Sequence, residues 1–378
     1  MNTEQLVARV LDPGWLSEQA GRPVRAARLR IKPRTSLVVG LDDTAGHPAG
    51  WLRFLWPISH NKATRTSREA GELGVETSEH ELGELLVQTG PLPADPKLLT
   101  RIAAATASGK LGRWEASQVL RYNPLRRVVV RDGMRVVRVA TSRDRGVAFD
   151  RFMAGVVETP RRLDDGTLEG VSVHAFTGDL DLADLLAGNP PGVDREPVHG
   201  TCDPVRAAGA MLARLHAAEV PGDLGRSLAA HTADPVAQGL AHAALLDELD
   251  PDLAERMRRV VAELPGVASA MPVLSHGDLS PDQVLTTHAG DTVWLTDFDR
   301  ACLAPRAVDL GSFLAVLDDA AFLDGYRDGG GQVPPEDQLR RAVAASLILR
   351  AADPLRRACR DWKQQVSANL DRIREVAT

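Results

Sequence analysis

The sequence has few cysteines and few aromatic residues, and it contains no long apolar run. Its three cysteines, Cys202, Cys302 and Cys359, are scattered without metal-ligand spacing, which argues against a disulfide framework or a zinc site. No stretch approaches the continuous apolar length that a membrane helix needs. Residues 1–9 carry acidic and basic side chains without the apolar segment of a signal peptide. These absences predict a cytoplasmic protein without a membrane partner.

An excess of positive charge is also missing. The formal net charge is −6, with 25% charged and 44% hydrophobic residues, which is an ordinary balance for a globular protein. This charge gives no reason to propose a nucleic-acid partner, although it does not exclude local basic patches. At 378 residues the chain exceeds what one hydrophobic core usually supports, so two or three folding units are expected. The sequence gives no indication of the oligomeric state.

The most informative segment is the His-Gly-Asp triplet at residues 276–278, followed by Gln283 and by Thr-Asp-Phe-Asp at residues 296–299. The apolar residues 271–274 predict a short buried strand that leads into the triplet, and residues 293–295 predict a second strand that ends at the later acids. A lone His-Gly-Asp is typical of a simple turn. The combination is more specific, because two strands joined by a loop bring both acidic sites to one edge of the structure.

Phosphoryl transfer requires this kind of arrangement. It needs an aspartate beside the acceptor hydroxyl and a metal ion that is held by further oxygen ligands. We therefore predict that Asp278 is the base that orients the hydroxyl and takes its proton. Gln283, five positions later, offers a carbonyl oxygen to a hard cation. Asp297 is predicted to be the charged ligand of Mg²⁺, which bridges to the phosphates.

The segment resembles the aminoglycoside phosphotransferase family of the protein-kinase-like fold. The usual pattern of that family is His-Gly-Asp, four further residues, an Asn, and Asp-Phe/Trp-Glu/Asp one strand later. Gln283 stands at the Asn position, and its extra methylene moves the ligand oxygen by roughly a bond length in a site where Mg²⁺ demands near-octahedral geometry. Asp309, Leu310 and Gly311 continue the likeness. We expect Asp309 to be structural rather than catalytic.

The resemblance implies an α+β, two-lobed protein-kinase-like fold with a β-rich N-lobe and a helical C-lobe. The expected boundaries are an extra N-terminal α/β cap module at residues 1–112, the N-lobe at 113–177 and the C-lobe at 178–378. Residues 29–39 are echoed by residues 120–130, with a Leu-Arg pair, a Pro and a β-branched run in register at an offset of 91. This repeat predicts two copies of one β-hairpin. The cap either confines the acceptor or merely lengthens the sheet.

The second hairpin is predicted to open the nucleotide-binding lobe. Arg138 stands on the strand that in the family carries a phosphate-binding Lys, and main-chain groups near His174 and Phe176 would hold the adenine. No Gly-x-Gly-x-x-Gly loop is present. The alternative for Arg138 is a solvated strand residue. The acids near enough to pair with Arg138 are Asp144, Asp150 and Glu158.

These features predict an O-phosphotransferase that uses ATP, or another nucleoside triphosphate, and Mg²⁺ to phosphorylate a hydroxyl group of a sugar-like or aminoglycoside-like small molecule. Two alternatives stay open: a kinase for Ser or Thr in a peptide, and a catalytically degenerate binding protein of kinase shape. Asp318, Asp319 and Asp324 would suit a cationic acceptor if they line its site. The simpler hypothesis, which we prefer, is that these acids form a solvated helix end.

Overall fold

A computed structural model of the chain describes residues 1–188, 203–228, 233–264 and 271–377. The N-terminal half is rich in β-sheet and the C-terminal half is helical, so the predicted α+β fold class is confirmed. Within the described ranges, no helix has the length and apolar character required to cross a membrane. Cys202 lies outside these ranges, and Cys302 and Cys359 are free thiols.

The first module is a five-stranded antiparallel sheet with the strand order β1-β2-β3-β5-β4. Fully buried apolar side chains cover one face of this sheet, among them Leu37, Leu52 and Phe54. Asp12 starts the second helix by accepting hydrogen bonds from the N–H groups of residues 14 and 15. The elements are α1 (Thr3–Val10), α2 (Pro13–Ala20), β1 (Arg25–Lys32), β2 (Ser36–Asp42), β3 (Pro48–Leu55), α3 (Asn61–Glu72), β4 (Ser78–Leu82), β5 (Leu85–Gly90) and α4 (Leu99–Ala107).

The second sheet has four antiparallel strands in the order β6-β7-β8-β9. Arg162, which lies outside the named strands, forms an isolated antiparallel bridge with His174 of the last strand. A helix lies between β8 and β9 along the chain and begins at Val147. The elements are β6 (Gln118–Asn123), β7 (Arg127–Asp132), β8 (Arg135–Ala140), α5 (Val147–Ala154) and β9 (Val171–Ala175).

The two sheets begin with the same structural unit, which confirms the predicted repeat of a β-hairpin. In each hairpin a Pro-initiated turn places its second residue in the left-handed region, at φ 51° for Arg34 and φ 60° for Leu125. Each hairpin continues into a third antiparallel strand and then a helix, α3 in one sheet and α5 in the other. In the sheet registers, Val38 pairs with Arg53 and Val129 pairs with Arg138. Arg53 and Arg138 therefore occupy equivalent positions.

The C-terminal half packs helices around two small antiparallel sheets. Strand β12 lies between β10 and β13, while β11 pairs with β14. Helices α7 and α12 approach each other so closely that a Cβ atom at Gly209 or Gly325 would overlap the facing backbone, and glycine permits this approach. The elements are β10 (Leu180–Asp181), α6 (Leu182–Leu186), α7 (Pro204–Ala217), α8 (Gly222–Leu228), α9 (Pro235–Leu246), α10 (Pro251–Glu263), β11 (Pro272–Ser275), β12 (Val284–Thr286), β13 (Val293–Leu295), β14 (Cys302–Pro305), α11 (Ala307–Leu314), α12 (Ala320–Asp328), α13 (Glu336–Arg350), α14 (Asp353–Arg356) and α15 (Trp362–Ala377).

Two hydrophobic cores connect the modules. One core joins Leu6 and Phe54 of the first module to Leu310 and Val366 of the helical half. The other joins Trp51 of the first module to the valines of the second sheet. The first module thus shares apolar cores with both lobes and is not attached by a linker alone.

Candidate active site

The loop after β11 carries Asp278, and its backbone is held by one buried carboxylate. Asp309 accepts hydrogen bonds from the N–H groups of His276 at 2.6 Å and Gly277 at 2.7 Å. It also bonds to Nε2 of His216 at 3.1 Å. Gly277 has φ 81°, and a Cβ atom there would overlap the carbonyl oxygen of Arg300, so a glycine is required.

The charge of Asp309 is stabilised by these contacts. Burial opposes its ionisation, but the hydrogen bond from His216 and the neighbouring N–H groups outweigh burial and lower the pKa of Asp309. Nδ1 of His216 in turn bonds to the Tyr326 hydroxyl at 2.8 Å. The predicted structural role of Asp309 agrees with this geometry, and His216 is a packed residue that supports it.

Two arginines of the helical half contact the carboxylate of Asp278. Arg350 donates from Nη2 to Oδ1 at 3.0 Å, and Nη1 of Arg300 lies 3.5 Å from Oδ2. Burial nevertheless raises the pKa of Asp278, because desolvation exceeds the attraction of these two charges. A carboxylate with a raised pKa is a stronger base than an ordinary aspartate.

Gln283 immediately precedes β12, and Asp297 follows the adjacent strand β13 by two residues. The N–H of Thr296 donates to the carbonyl oxygen of Gln283 at 3.0 Å. The side-chain Oε1 of Gln283 is buried and, among the described residues, has no hydrogen-bond partner. Asp297 adopts the left-handed region at φ 64° and precedes the 3-10 helix Phe298–Arg300. A buried acceptor without a partner and a nearby carboxylate together form a set of oxygen donors that suits a hard cation.

Three arginines of the N-lobe reach this edge of the helical half. Arg127 donates to both oxygens of Asp297 at 2.8 Å. Arg138 pairs with Asp299, and Arg145 donates to the carbonyl oxygen of Asp299 at 3.1 Å. Burial opposes ionisation of Asp297, but Arg127 outweighs burial and lowers its pKa. Arg138 therefore faces the interlobe cleft and is not a solvated strand residue.

The acids expected beside Arg138 have other partners. Arg162 binds Asp144 at 2.7 Å and Asp150 at 2.6 Å, and Arg214 pairs with Glu158. None of these three candidates pairs with Arg138, because Arg162, at the position of the isolated bridge, binds the first two and Arg214 binds the third. Asp299 pairs with Arg138 instead.

The predicted nucleotide pocket is a cleft of about 410 Å³ between the lobes, which is within the usual size of ligand sites. Its lining includes His174 and Phe176 on one side and Asp297 on the other. Arg131 stacks on the Phe176 ring at 3.7 Å. The N–H groups of Ala175 and Phe176 already donate to the carbonyl oxygens of residues 161 and 134. The N–H groups of these two residues are therefore not free to bind a ligand in the cleft.

Comparisons with known proteins decide what this arrangement belongs to. The model of the phosphotransferase enzyme family matches residues 106–344, which include every residue of the cleft. The chain belongs to this family. It is a phosphotransferase that acts on a hydroxyl group. No sequence among the curated proteins searched matches it significantly.

Several solved structures are similar to this phosphotransferase at low sequence identity. The GDP and kanamycin complex of APH(2")-IIia is 17% identical, with a TM-score of 0.51, and the alignment covers 73% of this chain and 99% of that one. A choline/ethanolamine kinase family protein from Mesorhizobium loti is also 17% identical, with a TM-score of 0.49 and coverage of 74% and 93%. The macrolide 2'-phosphotransferase MphH from Brachybacterium faecium is 21% identical, with a TM-score of 0.43 and coverage of 75% and 98%.

Several charged residues of the phosphotransferase site were missed by sequence reasoning. Arg127 and Arg145 come from the N-lobe, and Arg300 and Arg350 from the C-lobe. The position of Arg127 could have been predicted from the repeat, because this residue begins the second strand of the second hairpin, directly after the turn. Arg350, at the end of a long helix, has no local signal. The three acids Asp318, Asp319 and Asp324 were considered as an acceptor surface, but Asp319 caps α12 and Asp324 pairs with Arg206 and Arg327.

Proposed function

We propose that this phosphotransferase moves the γ-phosphoryl group of ATP, with Mg²⁺ as cofactor, to a hydroxyl group of a small molecule. The observation that carries the proposal is the buried Oε1 of Gln283, which has no hydrogen-bond partner among the described residues and lines the same cleft as Asp297. Asp297 is near enough to Asp278 for its charge to raise the pKa of Asp278. A structural turn has no need for an unsatisfied amide oxygen at this position. A side chain that binds a metal ion does need an oxygen that is free of hydrogen bonds.

Asp278 supplies the base. Its carboxylate orients the acceptor hydroxyl and takes the proton as the new bond forms between the acceptor oxygen and the γ-phosphorus. The bond from that phosphorus to the oxygen bridging to the β-phosphorus breaks, and ADP leaves. Arg350 and Arg300 keep the carboxylate pointed into the site through their contacts with its two oxygens.

Gln283 and Asp297 would hold Mg²⁺. When bound, the cation neutralises the charge that develops on the phosphates. The glutamine supports this role despite its extra methylene, because its Oε1 accepts no hydrogen bond from the described residues. Asp297 brings the negative charge, and its lowered pKa keeps that charge over the physiological range.

Arg127 and Arg138 would bind the phosphates. Both guanidinium groups already contact carboxylates at the phosphate end of the cleft, and Nε of Arg138 is buried without a partner among the described residues. The planar fork of arginine matches phosphate oxygens and is always charged. These two side chains would therefore take over part of the task that a lysine and a glycine-rich loop perform in other kinases.

The small-molecule acceptor is favoured over a peptide by the surroundings of Asp278. The side chain of Asp278 is only 30% exposed and lies between Arg300 and Arg350. A base that is enclosed in this way is readily reached by a small hydroxyl compound. A folded protein segment would need a more open surface.

Calorimetric titration with ATP in the presence and absence of Mg²⁺ tests the proposal. The wild type is expected to bind ATP more tightly with Mg²⁺, and Asp297→Asn should reduce this Mg²⁺-dependent gain by at least about tenfold, because it removes the charged ligand. Asp252→Asn, an exposed acid at the start of α10, serves as the control and should behave as the wild type. A wild type that binds no Mg²⁺-nucleotide would overturn the proposal.

A further inference from the structure

Asp278 borders a group of arginines that come from the first module, the N-lobe and the C-lobe. Arg300 and Arg350 touch its carboxylate directly. The others lie farther out, on β1, in the turn after β6 and on α14. This arginine cluster consists of Arg28, Arg30, Arg126, Arg300, Arg350 and Arg356.

The fold brings these side chains together through contacts between the modules. On β1, Leu29 faces the core, so its neighbours Arg28 and Arg30 point to the opposite face of the strand. Helix α14 packs against β1. The turn that carries Arg126 abuts β2, where Pro124 lies against Gly40.

Electrostatic repulsion couples Arg126 to three other arginines of the cluster, and Arg28 to two arginines outside it. Burial lowers the pKa of Arg126, and the charges of Arg30, Arg356 and Arg300 lower it further. The pKa of Arg28 is lowered by burial and then by Arg121 and Arg357, and Asp353 and Asp282 only partly offset this.

Arg356 also affects a neighbouring histidine. Burial, followed by the charge of Arg356, lowers the pKa of His242 to about 4. The neutral ring therefore accepts a hydrogen bond at Nδ1 from Arg356 at 3.3 Å and donates from Nε2 to the carbonyl oxygen of Leu349 at 3.2 Å. These contacts fix the position of the Arg356 guanidinium.

Counter-ions for the cluster are scarce within the described ranges. Arg28, Arg30 and Arg126 form no ion pair there, and Nη1 of Arg30 is buried without an acceptor. The nearest acids are already in use, since Asp353 binds Arg356 at 3.4 Å and Asp282 binds Arg121 at 3.0 Å. Buried donors without acceptors and neighbouring like charges both cost free energy. A bound anion would remove both costs.

We propose that the acceptor is a small hydroxyl compound that also carries a phosphate or carboxylate group. The arginine cluster binds this anionic group while the hydroxyl reaches Asp278. The proposal rests on the proposed phosphotransferase function and specifies its substrate class. Guanidinium groups bind phosphate and carboxylate through paired N–H donors, so several arginines around one anion give both affinity and orientation.

A panel of matched acceptors tests this inference. Each set contains a neutral compound, its phosphate, its carboxylate and its amine, for example glucose, glucose 6-phosphate, glucuronate and glucosamine, with a parallel set built on glycerol. Turnover is measured as ADP release with Mg²⁺-ATP, and binding is measured by calorimetry for every compound. The double variant Arg30→Gln/Arg126→Gln is compared with the wild type. Arg340→Gln is the control, because Arg340 is an exposed residue of α13 whose side chain forms no ion pair among the described residues.

The expected result is that anionic members bind at least about tenfold more tightly than their neutral counterparts, and that this preference is lost in the double variant but kept in the control. The phosphate and carboxylate arms show which anion is preferred. If Mg²⁺-ATP binds but anionic members bind no better than neutral or cationic ones, the inference is wrong while the phosphotransferase function stands. If Mg²⁺-ATP does not bind, the function fails, and arginine-dependent binding of anions still decides the inference.

Discussion

At the scale of single residues, the carboxylates of the candidate site are paired with arginines from distant parts of the chain. Arg127 binds Asp297, Arg138 binds Asp299, and Arg350 binds Asp278. These ion pairs must therefore open when ligands bind. The phosphates would compete for the guanidinium groups, and a cation would compete for the carboxylate of Asp297. Each of these three carboxylates has an arginine partner before the nucleotide enters.

Gln283 provides the first prediction at this scale. If its Oε1 is a metal ligand, Gln283→Ala should raise the Mg²⁺ concentration needed for half-maximal turnover by about tenfold or more, while Gln283→Asn, which keeps an amide oxygen, should be neutral or modestly harmful. Titration of Mg²⁺ against turnover for the three proteins checks this. A gain of activity in Gln283→Asn, with no change in Gln283→Ala, would instead mark a degenerate site.

The raised pKa of Asp278 gives the second prediction. The base must be ionised to accept a proton, so kcat/KM should fall on the acid side with an apparent pKa above the ordinary aspartate value of about 3.9. Arg350 lowers the pKa of Asp278, and Arg350→Gln should therefore shift this acid limb to higher pH. A pH–rate profile of both proteins, with Arg340→Gln as a control on the same helix, measures the shift. An unmoved limb would show that Asp278 is not the titrating group.

At the scale of elements, the catalytic loop depends on helix α11 for its shape. Asp309 on this helix binds two successive N–H groups of the loop, and the helix is fixed in turn by His216 on α7. The loop can present Asp278 only while this carboxylate stays in place.

The hairpin repeat shows a second consequence at the scale of elements. Arg53, the counterpart of Arg138, is buried and donates to Gln88 at 2.8 Å and Thr66 at 2.9 Å, so in the first module the same position has become structural.

Asp309→Asn tests the role of the helix–loop contact. Because the pKa of Asp309 is lowered by folding, its charge stabilises the folded state above the unfolded pKa of about 3.9 and loses this effect as the pH falls through the folded value. Between pH 5 and pH 8, the free energy of unfolding of the variant should be about 3 kcal/mol lower than that of the wild type. Below about pH 4 this difference between the two proteins should be smaller. Urea unfolding at each pH measures it. Asp318→Asn, an exposed acid, is the control, and equal losses in both variants would contradict the account.

Local patterns predicted the elements better than the contacts between them. The strands around residues 271–274 and 293–295 and the two hairpins follow from short apolar runs and turn residues, which are encoded within a few positions. The ion pair between Arg127 and Asp297 joins residues 170 positions apart, and that between Arg350 and Asp278 joins residues 72 apart. Such partners depend on how lobes pack, and periodicity carries no information about that. The missed arginines and the wrong partners for Arg138 have this common cause.

At the scale of the whole molecule, the first module is part of the same cooperative structure as the lobes. It shares one core with the helical half and another with the second sheet. Ion pairs add to this, with Lys363 of α15 lying 3.3 Å from Glu4 of α1 and Arg34 lying 3.4 Å from Glu248. The module also supplies Arg28 and Arg30 to the arginine cluster, so it contributes to the proposed acceptor site.

This shared packing predicts a single unfolding transition. Leu52→Ala in the first module removes a fully buried side chain and should cost about 2–5 kcal/mol. The melting temperature followed by circular dichroism should fall, and it should fall by the same amount when the melt is repeated with bound nucleotide, because the modules unfold together. Calorimetry that resolved two transitions, with only one shifted by the substitution, would show instead that the first module is independent.

The most direct test of the central claim is to observe the transferred phosphate. The wild type is incubated with ATP, Mg²⁺ and the best acceptor of the matched panel, and the reaction is followed by phosphorus NMR. The account predicts a new phosphate-ester signal that grows as ATP is converted to ADP, and a rate that is at least about 10²-fold lower in Asp278→Asn while nucleotide binding is kept. An ester that forms at the same rate in Asp278→Asn, or no ester from any acceptor, would contradict it.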